Sequence, residues 1–311
     1  MISEDRRVSA ANLLLVVGLA GHAAELVVEN PPWQPWDERW VTPGWHRFLP
    51  EVFPFVAAGL LAVCGVVLLW RRSRGAALAV AFAYALHHLT WPLRIRNHMS
   101  FLLAVYALEA GVWLAAGLPR DLDQRRAVDR LLAGGLAGVL VVTYLAAGIH
   151  KLNAAFLSGD PTLSSGALAA RQFLVAGGLT SPPAVVVAAA PYAVVACELT
   201  LPLVAWLVGP LRRAAVLALF AFHFPMISAM GVSDYPMLVS ALYPALFTAD
   251  EWSDLERKLY KPSLGKLAGT LAAVVLQARF VRHWGLTTSF GAVVAALWGW
   301  ASVALLSRRG Q

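Results

Sequence analysis

Long apolar runs separated by short basic connectors limit what this chain can fold into. A helix that crosses a bilayer needs about 20 mostly apolar residues. Runs of that kind lie near 9–28, 51–70, 75–91, 99–117, 129–149, 183–208, 212–230, 234–248, 264–281 and 287–306. With 59% hydrophobic and only 14% charged residues, the chain has more apolar surface than one soluble core buries. The sequence therefore predicts an all-α fold, a polytopic membrane bundle of about 8–10 transmembrane helices.

Two of these runs are weaker candidates for membrane spans than the others. The run at 234–248 is short, and the run at 264–281 carries Lys266 and Gln277. No segment is long enough to form a separate soluble domain, so we expect residues 1–311 to make a single helical domain. No internal repeat is evident, which disfavours a small transporter without excluding one.

The basic residues predict the orientation of the bundle. With ten spans, the main basic groups all fall on one side of the membrane. They are Arg6, Arg7, Arg71, Arg72, Arg74, Arg120, Arg125, Arg126, Arg130, Arg212, Arg213, Arg257, Lys258, Lys261, Lys266, Arg308 and Arg309. The positive-inside rule places that side, and both termini, in the cytoplasm of a plasma-membrane protein. Arg94, Arg96, Arg279 and Arg282 fall on the outer side and dissent. The net charge of +7 thus indicates a lipid bilayer partner and no nucleic acid.

Metal and cysteine chemistry are poorly supported by spacing. Cys64 and Cys197 lie far apart in apolar runs, and none of the eight histidines has another three or four residues away. We therefore predict no metal site of the thiolate or di-iron type. A haem held by two of His22, His98 and His223 stays open, because ligands on separate helices leave no spacing signature.

Polar residues at the ends of two neighbouring runs predict a site. Asn97 and His98 begin the fourth predicted span at its outer end, and His150 and Lys151 end the fifth at the same level. Antiparallel neighbours commonly pack side by side, and ionisable groups in a membrane mark sites by default. We therefore expect an outward-facing pocket that contains Lys151 and His98, with His223 at its floor.

Lys151 has two interpretations from the residues alone. Burial disfavours a charged ammonium, and a neutral amine can act as a general base. Alternatively, Lys151 caps the C-terminal end of its helix or extends to the interface. A carboxylate partner decides between them: if Glu198 pairs with Lys151, the amine stays charged and the base hypothesis fails.

Three stretches, in order, carry a family resemblance. The segment Thr143 to Gly159 resembles the part of the vitamin K-dependent gamma-carboxylases that carries their catalytic lysine. The flanking stretches Arg96 to Ser100 and Phe222 to Leu238 resemble the family's Asn-His-Ser element and its histidine-containing helix, and Glu198 falls where the family has an acidic residue. The resemblance is to the transmembrane part of this group, the horizontally transferred transmembrane domain (HTTM) family, and is strongest over residues 84–252.

The resemblance implies an oxygenase that couples two reactions. Its cofactor is a reduced vitamin K or menaquinol-like naphthoquinone, and O2 and CO2 are co-substrates. Lys151 removes a quinol proton, oxygen adds, and the resulting alkoxide takes a proton from a substrate carbon while the quinone becomes an epoxide; carboxylation follows. Lys151 and His98 are then the catalytic residues. The residues that contact the cofactor are Asn97, His150, His223, Glu198 and Tyr144.

Departures from the family narrow the expectation. His150 stands where the carboxylases have another lysine, and Phe156 stands where they have tryptophan. The sequence also ends at Gln311, just after the last predicted span, without the region that docks protein substrates. We therefore expect quinol oxygenation to be retained and leave carboxylation, and the peptide, lipid or small-molecule substrate, open. The alternative is a non-catalytic quinone- or lipid-binding membrane subunit.

Overall fold

The computed structural model describes residues 5–15, 97–117, 121–158, 160, 162–228, 234–280 and 286–307, together with scattered positions between 56 and 83. These residues divide into two compact units. The first comprises Met1–Val139 with Met237–Ala245, and the second comprises Leu140–Pro236 with Leu246–Gln311. Within the described residues the structure is helical and has no strand, which confirms the predicted all-α class.

Ten helices with defined bounds follow residues 6–15, which are also helical. The helices are α1 (Asn97–Ala116), α2 (Leu122–His150), α3 (Ala154–Leu157), α4 (Ser165–Ala176), α5 (Ala184–Leu207), α6 (Arg212–Ser228), α7 (Asp234–Ser240), α8 (Ala249–Tyr260), α9 (Leu264–Ala278) and α10 (Leu286–Leu306). Short 3-10 turns lie at Gly209–Leu211 and Tyr243–Leu246.

The first unit packs small and aliphatic side chains against the N-terminal half of α2. Leu132 and Leu136 of α2 are almost completely buried, as is Leu15 of the helical segment 6–15. Helices α1 and α2 approach closely at Gly135, where an added Cβ would lie 2.7 Å from Leu108 Cδ2. The backbone N–H of Asp5 donates to Asp129 Oδ2 at 3.3 Å, so the start of the chain is held to α2.

The second unit contains two groups of packed helices. Helix α5 packs on α4 and α6, and α9 packs along α10, with α6 and α8 also against α10. The α9–α10 contact depends on two glycines. A Cβ added at Gly299 would lie 2.9 Å from Ala273 Cβ and nearer still to the carbonyl oxygen of Gly269. Any larger side chain at Gly299 would therefore force the two helices apart.

Two helices in the described residues, α2 and α5, are long and apolar enough to cross a membrane. They correspond to the predicted spans at 129–149 and 183–208. Helix α2 begins earlier than predicted because its first two turns are charged and were assigned to a connector. The membrane character of the chain is thus supported at these two helices, while the number of spans and the orientation of the termini stay predictions.

The predicted span at 234–248 is wrong as a single helix. The chain there forms α7, a turn and the 3-10 turn Tyr243–Leu246. Pro244 lies in this 3-10 turn and has no backbone N–H to continue an α-helix. Residues 236–247 are nevertheless buried, in keeping with their apolar composition.

The apolar-run criterion missed the single turn α3 and two longer helices, α4 and α8. Helix α4 is only partly apolar, and α8 is strongly charged, so both were assigned to connectors. The start of α8 carries a capping box: Thr248 Oγ1 accepts from the Glu251 N–H while the Glu251 carboxylate accepts from the Thr248 N–H. A Thr followed three residues later by Glu is a known helix-start signal, so this helix was readable from the sequence.

Candidate functional site

Lys151 and Glu198 form an ion pair in the second unit. Lys151 Nζ donates to both carboxylate oxygens of Glu198, at 2.7 and 2.8 Å. The side chain of Glu198 is 8% exposed and that of Lys151 is 25% exposed, so the carboxylate is enclosed and the ammonium retains limited access. The arrangement is the one that we expected to keep the amine charged. The pairing therefore disfavours the hypothesis that Lys151 is a free general base.

The pair forms because α2 and α5 approach closely one turn before Lys151. The glycine at that point, Gly148, is buried, and a Cβ added to it would lie 2.8 Å from Leu199 Cδ2 and 3.3 Å from Glu198 Cβ. Only a residue without a side chain permits this approach. The backbone contact at Gly148 therefore brings the Glu198 carboxylate within reach of Lys151, which follows the last residue of α2.

A short segment after α2 encloses the ammonium from another direction. Asn153 caps α3 by accepting from the Phe156 N–H at 3.0 Å, and the Phe156 ring centroid lies 5.8 Å from Lys151 Nζ. That distance is within the range of a cation–π interaction. The ring is fixed from behind by Gly166, whose added Cβ would lie 3.0 Å from Phe156 Cζ. Phe156 thus covers part of the ion pair.

A second polar pair lies deeper along the same helix. Tyr144 Oη is 2.5 Å from His223 Nε2, and the two side chains are each about 1% exposed. The rings of Phe222 and Trp298 lie 5.0 and 6.5 Å from the His223 ring. The hydroxyl and imidazole therefore give each other a polar partner beside two aromatic rings, as buried polar groups require.

The two polar pairs share one face of α2. Tyr144, Gly148 and Lys151 are spaced by four and three residues, which places them in one stripe of an α-helix. Seven residues correspond to a rise of about 10 Å. Helix α2 thus presents a buried hydroxyl, a close helix contact and a partly accessible ammonium in succession.

The remaining predicted site residues have different outcomes. His150 ends α2 with an exposed side chain, and its carbonyl oxygen accepts from Asn153 Nδ2 at 2.7 Å. Neither observation places His150 beside Glu198. Asn97 and His98 begin α1, but their side chains lie outside the described part of the structure, as does all of His22. The predicted pocket shared by Lys151 and His98 therefore stays a prediction.

A larger group of charges, which the sequence did not reveal as a unit, joins the start of α6 to α8. We call Arg212, Arg213, Glu251, Asp254 and Lys258 the charged cluster. Arg212 binds Glu251 and also donates to the Ala205 carbonyl at 2.8 Å. Asp254 accepts from Arg213 at 2.9 Å and from Lys258 at 3.0 Å. Asp254 and Lys258 are four residues apart on α8, but Arg212 and Arg213 are 39 and 41 residues from their acids, so no local pattern identifies these two contacts.

The two acids of the charged cluster are held in their ionised forms. Hydrogen bonding from Lys258, followed by that from Arg213, lowers the pKa of Asp254 below its usual range. Burial alone would raise the pKa of Glu251, but the Thr248 N–H and the Arg212 guanidinium outweigh it and the pKa is lowered. The ionised carboxylates of Glu251 and Asp254 therefore stabilise the folded state at neutral pH.

Lys266, a polar residue in an apolar run, is buried at 4% exposure. Its ammonium donates to the carbonyl oxygens of Lys258 and Lys261 at the end of α8 and lies 5.1 Å from the Trp300 ring centroid. Carbonyl acceptors near a helix C-terminus favour a cation. Lys266 is thus satisfied by α8 and Trp300, in a setting unlike that of Lys151.

Comparisons with family models, curated proteins and solved structures find no match for this chain.

Proposed function

We propose that the chain is a quinol-dependent membrane oxygenase in which the Lys151–Glu198 pair accepts the quinol proton. The observation that carries the proposal is the two-oxygen contact between Lys151 Nζ and an enclosed carboxylate. The resemblance to the vitamin K-dependent carboxylases supplies the reaction class. The proposal differs from the expectation in one part: the proton acceptor is the pair and not a free lysine, because Lys151 is bound to Glu198.

The proton count explains how a charged lysine takes part. Lys151 starts with three protons and Glu198 with none, so the pair has one vacant position, on the carboxylate. When Lys151 Nζ passes a proton to Glu198 Oε1 or Oε2, the neutral amine can take the proton of a quinol hydroxyl. The pair ends as an ammonium beside a carboxylic acid. The restored ammonium then stabilises the negative charge left on the quinol oxygen, which is the usual use of a desolvated cation.

The surroundings fit an aromatic, lipid-soluble ligand. The Phe156 ring lies beside the ammonium, and Ile149 and Leu152 next to Lys151 are exposed by 61% and 54%. An aromatic ring and exposed aliphatic side chains suit a naphthoquinone ring and its isoprenoid tail. The Tyr144–His223 pair on the same stripe of α2 can exchange a proton and accept or donate a hydrogen bond.

A bound quinol supplies the electrons that reduce O2 and is itself converted to an epoxide. This chain's residues have narrower tasks: Lys151 and Glu198 hold and move one proton, and Phe156 limits the access of water to them. Carboxylation of a substrate with CO2 rests on the resemblance alone.

The test is aerobic incubation of the purified full chain in lipid nanodiscs with reduced menaquinone, followed by mass spectrometry for the epoxide. We expect wild type to form it and Lys151→Met to lose at least about 100-fold in rate, the usual contribution of a general base. Lys266→Met is the matched control, because Lys266 is a buried lysine that has no carboxylate partner in the described residues; circular dichroism verifies that both variants keep their helices. Equal epoxide from Lys151→Met and wild type contradicts the proposal.

A second candidate function is favoured by one specific observation. The Lys151 ammonium contacts both oxygens of Glu198 and lies 3.4 Å from the Ala147 carbonyl oxygen, so its donors are satisfied without a substrate. A quinone- or lipid-binding subunit without chemistry uses such a pair only for structure. It is supported if menaquinone co-purifies with wild type and with Lys151→Met while neither forms epoxide.

A further inference from the structure

We propose that the end of α8 and the outer face of α9 form a binding site for an acidic phospholipid, with the headgroup on Arg257 and Lys261 and an acyl chain along α9. This surface is separate from the Lys151–Glu198 pair. The inference does not depend on the proposed enzymatic function.

Acidic and apolar residues of helix α8 face the rest of the protein. Its acids Glu251 and Asp254 bind cations of the charged cluster, and its apolar residues Trp252 and Leu255 are buried. The inward face is thus neutralised within the protein.

The outward end of α8 is cationic. The Arg257 side chain is 74% exposed and has only a 3.8 Å contact with Asp254, and Lys261 is exposed. The other acids of α8 lie elsewhere: Asp250 is in the first turn, and Glu256, half-buried, already has a partner. Two cations at this end therefore remain available for an anion from outside the protein.

Tyr260 lies beside these cations and is 79% exposed. A tyrosine in this position is typical of the boundary between lipid hydrocarbon and headgroups, where the ring is apolar and the hydroxyl is hydrated. The aromatic ring thus marks a level at which a polar surface changes to an apolar one.

Helix α9, which starts four residues after Tyr260, has the reverse of the amphipathic pattern of a soluble protein. Its buried residues are the polar Lys266 and Gln277. Its opposite face carries the exposed side chains of Leu264 (86%), Leu267 (55%), Leu271 (64%) and Val275 (53%). Polar residues inside and leucines outside are the arrangement expected of a helix that faces lipid.

The size of the apolar stripe identifies the ligand as an amphiphile. From Leu264 to Val275 a helix rises about 16 Å, close to the roughly 15 Å of hydrocarbon in one leaflet of a bilayer. The stripe begins next to the two cations and Tyr260. A soluble anion matches only the cations and an uncharged lipid only the stripe, whereas an acidic phospholipid matches both.

Native mass spectrometry of the full chain in detergent, titrated with phosphatidylglycerol or with phosphatidylcholine of the same acyl chains, tests the site. We expect wild type to bind phosphatidylglycerol more tightly. The double variant Arg257→Gln/Lys261→Gln should lose roughly 10- to 30-fold in phosphatidylglycerol affinity, since each surface cation contributes about a factor of five, and should bind phosphatidylcholine as before. Both side chains are exposed, so the variant should keep the thermal stability of wild type.

The matched control is Arg126→Gln/Arg130→Gln, which removes two exposed cations of α2 and should leave phosphatidylglycerol binding unchanged. Leu267→Asn/Leu271→Asn should weaken both lipids while the cations stay in place. An equal loss in the control and the Arg257/Lys261 variant would overturn the site. Displacement of phosphatidylglycerol by free glycerol phosphate at similar concentrations would overturn the role of the acyl chain and leave a headgroup site only.

Discussion

The Lys151–Glu198 pair and the charged cluster are two solutions to holding opposite charges in an apolar protein. In the cluster, Asp254 is shared by Arg213 and Lys258, and Arg212 also binds backbone carbonyls, so each charge has several partners. In the described residues Glu198 has Lys151 as its one cationic partner, and Lys151 adds a long contact with the Ala147 carbonyl oxygen and the Phe156 ring 5.8 Å away. The ion pairs of the charged cluster are therefore redundant, whereas Lys151 and Glu198 form an exclusive ion pair.

The difference teaches which group of charges suits chemistry. A carboxylate with several donors is held firmly in its ionised form, and moving one proton changes little. A carboxylate with a single cationic partner changes its interactions fully when one proton moves. We therefore interpret the charged cluster as the attachment of α8 and the Lys151–Glu198 pair as the site at which a proton moves.

The largest effect is expected from Arg212→Met in the charged cluster. The variant leaves the Glu251 carboxylate and the Ala205 carbonyl without their buried donor, which should lower the free energy of unfolding by about 3 kcal/mol. Arg213→Met is the matched control and should cost less, because Lys258 still binds Asp254. Chemical unfolding in detergent measures both free energies of unfolding. An equal or larger decrease for Arg213→Met would show that Lys258 does not substitute for Arg213 in binding Asp254.

A smaller effect is expected when the exclusive pair is broken. Glu198→Leu leaves a partly buried ammonium without its partner and should cost about 2 kcal/mol. The double variant Lys151→Met/Glu198→Leu replaces both charges by apolar groups and should recover most of that loss. Unfolding of the two single variants and the double variant gives their interaction energy. A double variant as unstable as the sum of the singles would show that the residues do not interact.

Next in size is the close approach at Gly148. Gly148→Ala brings a Cβ against Leu199 and should lower the free energy of unfolding by about 1 kcal/mol, the overpacking cost less the gain in helix propensity. Gly138→Ala, on the same helix, meets nothing within 4 Å and should instead stabilise by up to about 1 kcal/mol. Thermal unfolding compares them, and the same sign for both would mean that Gly148 does not set the helix separation.

Acid should have the smallest effect and should act on the cluster first. The pKa values of Glu251 and Asp254 are below their usual 4.5 and 3.8 in the folded protein. The unfolded chain therefore binds more protons near those values, so lowering the pH through them and below favours unfolding. We expect stability to be constant above pH about 5 and to fall below about 4. Arg212→Met should flatten this acid limb, and an unchanged limb would assign it to other carboxyls.

The sequence predicted the apolar helices better than the contacts between them. Runs such as 183–208 and 287–306 gave α5 and α10 within a few residues, because apolar length alone decides a helix in such a chain. It also singled out Lys151 and Glu198 and raised their pairing as an alternative, but it could not decide whether they meet, because that depends on the separation of two helices at Gly148. Helix α8 was missed although Thr248 and Glu251 signal its start, because charge was read only as a connector.

The most direct test of the Lys151–Glu198 pair as the proton acceptor is whether the Glu198 carboxylate becomes protonated when quinol binds. Infrared difference spectra of the wild-type chain, recorded without oxygen as reduced menaquinone is added, report the conversion of a carboxylate to a carboxylic acid. We predict a new protonated-carboxyl band in wild type that is absent in Glu198→Gln and in Lys151→Met, since both lack the complete pair. A wild-type spectrum in which bound quinol leaves the Glu198 carboxylate ionised would contradict the pair as the proton acceptor.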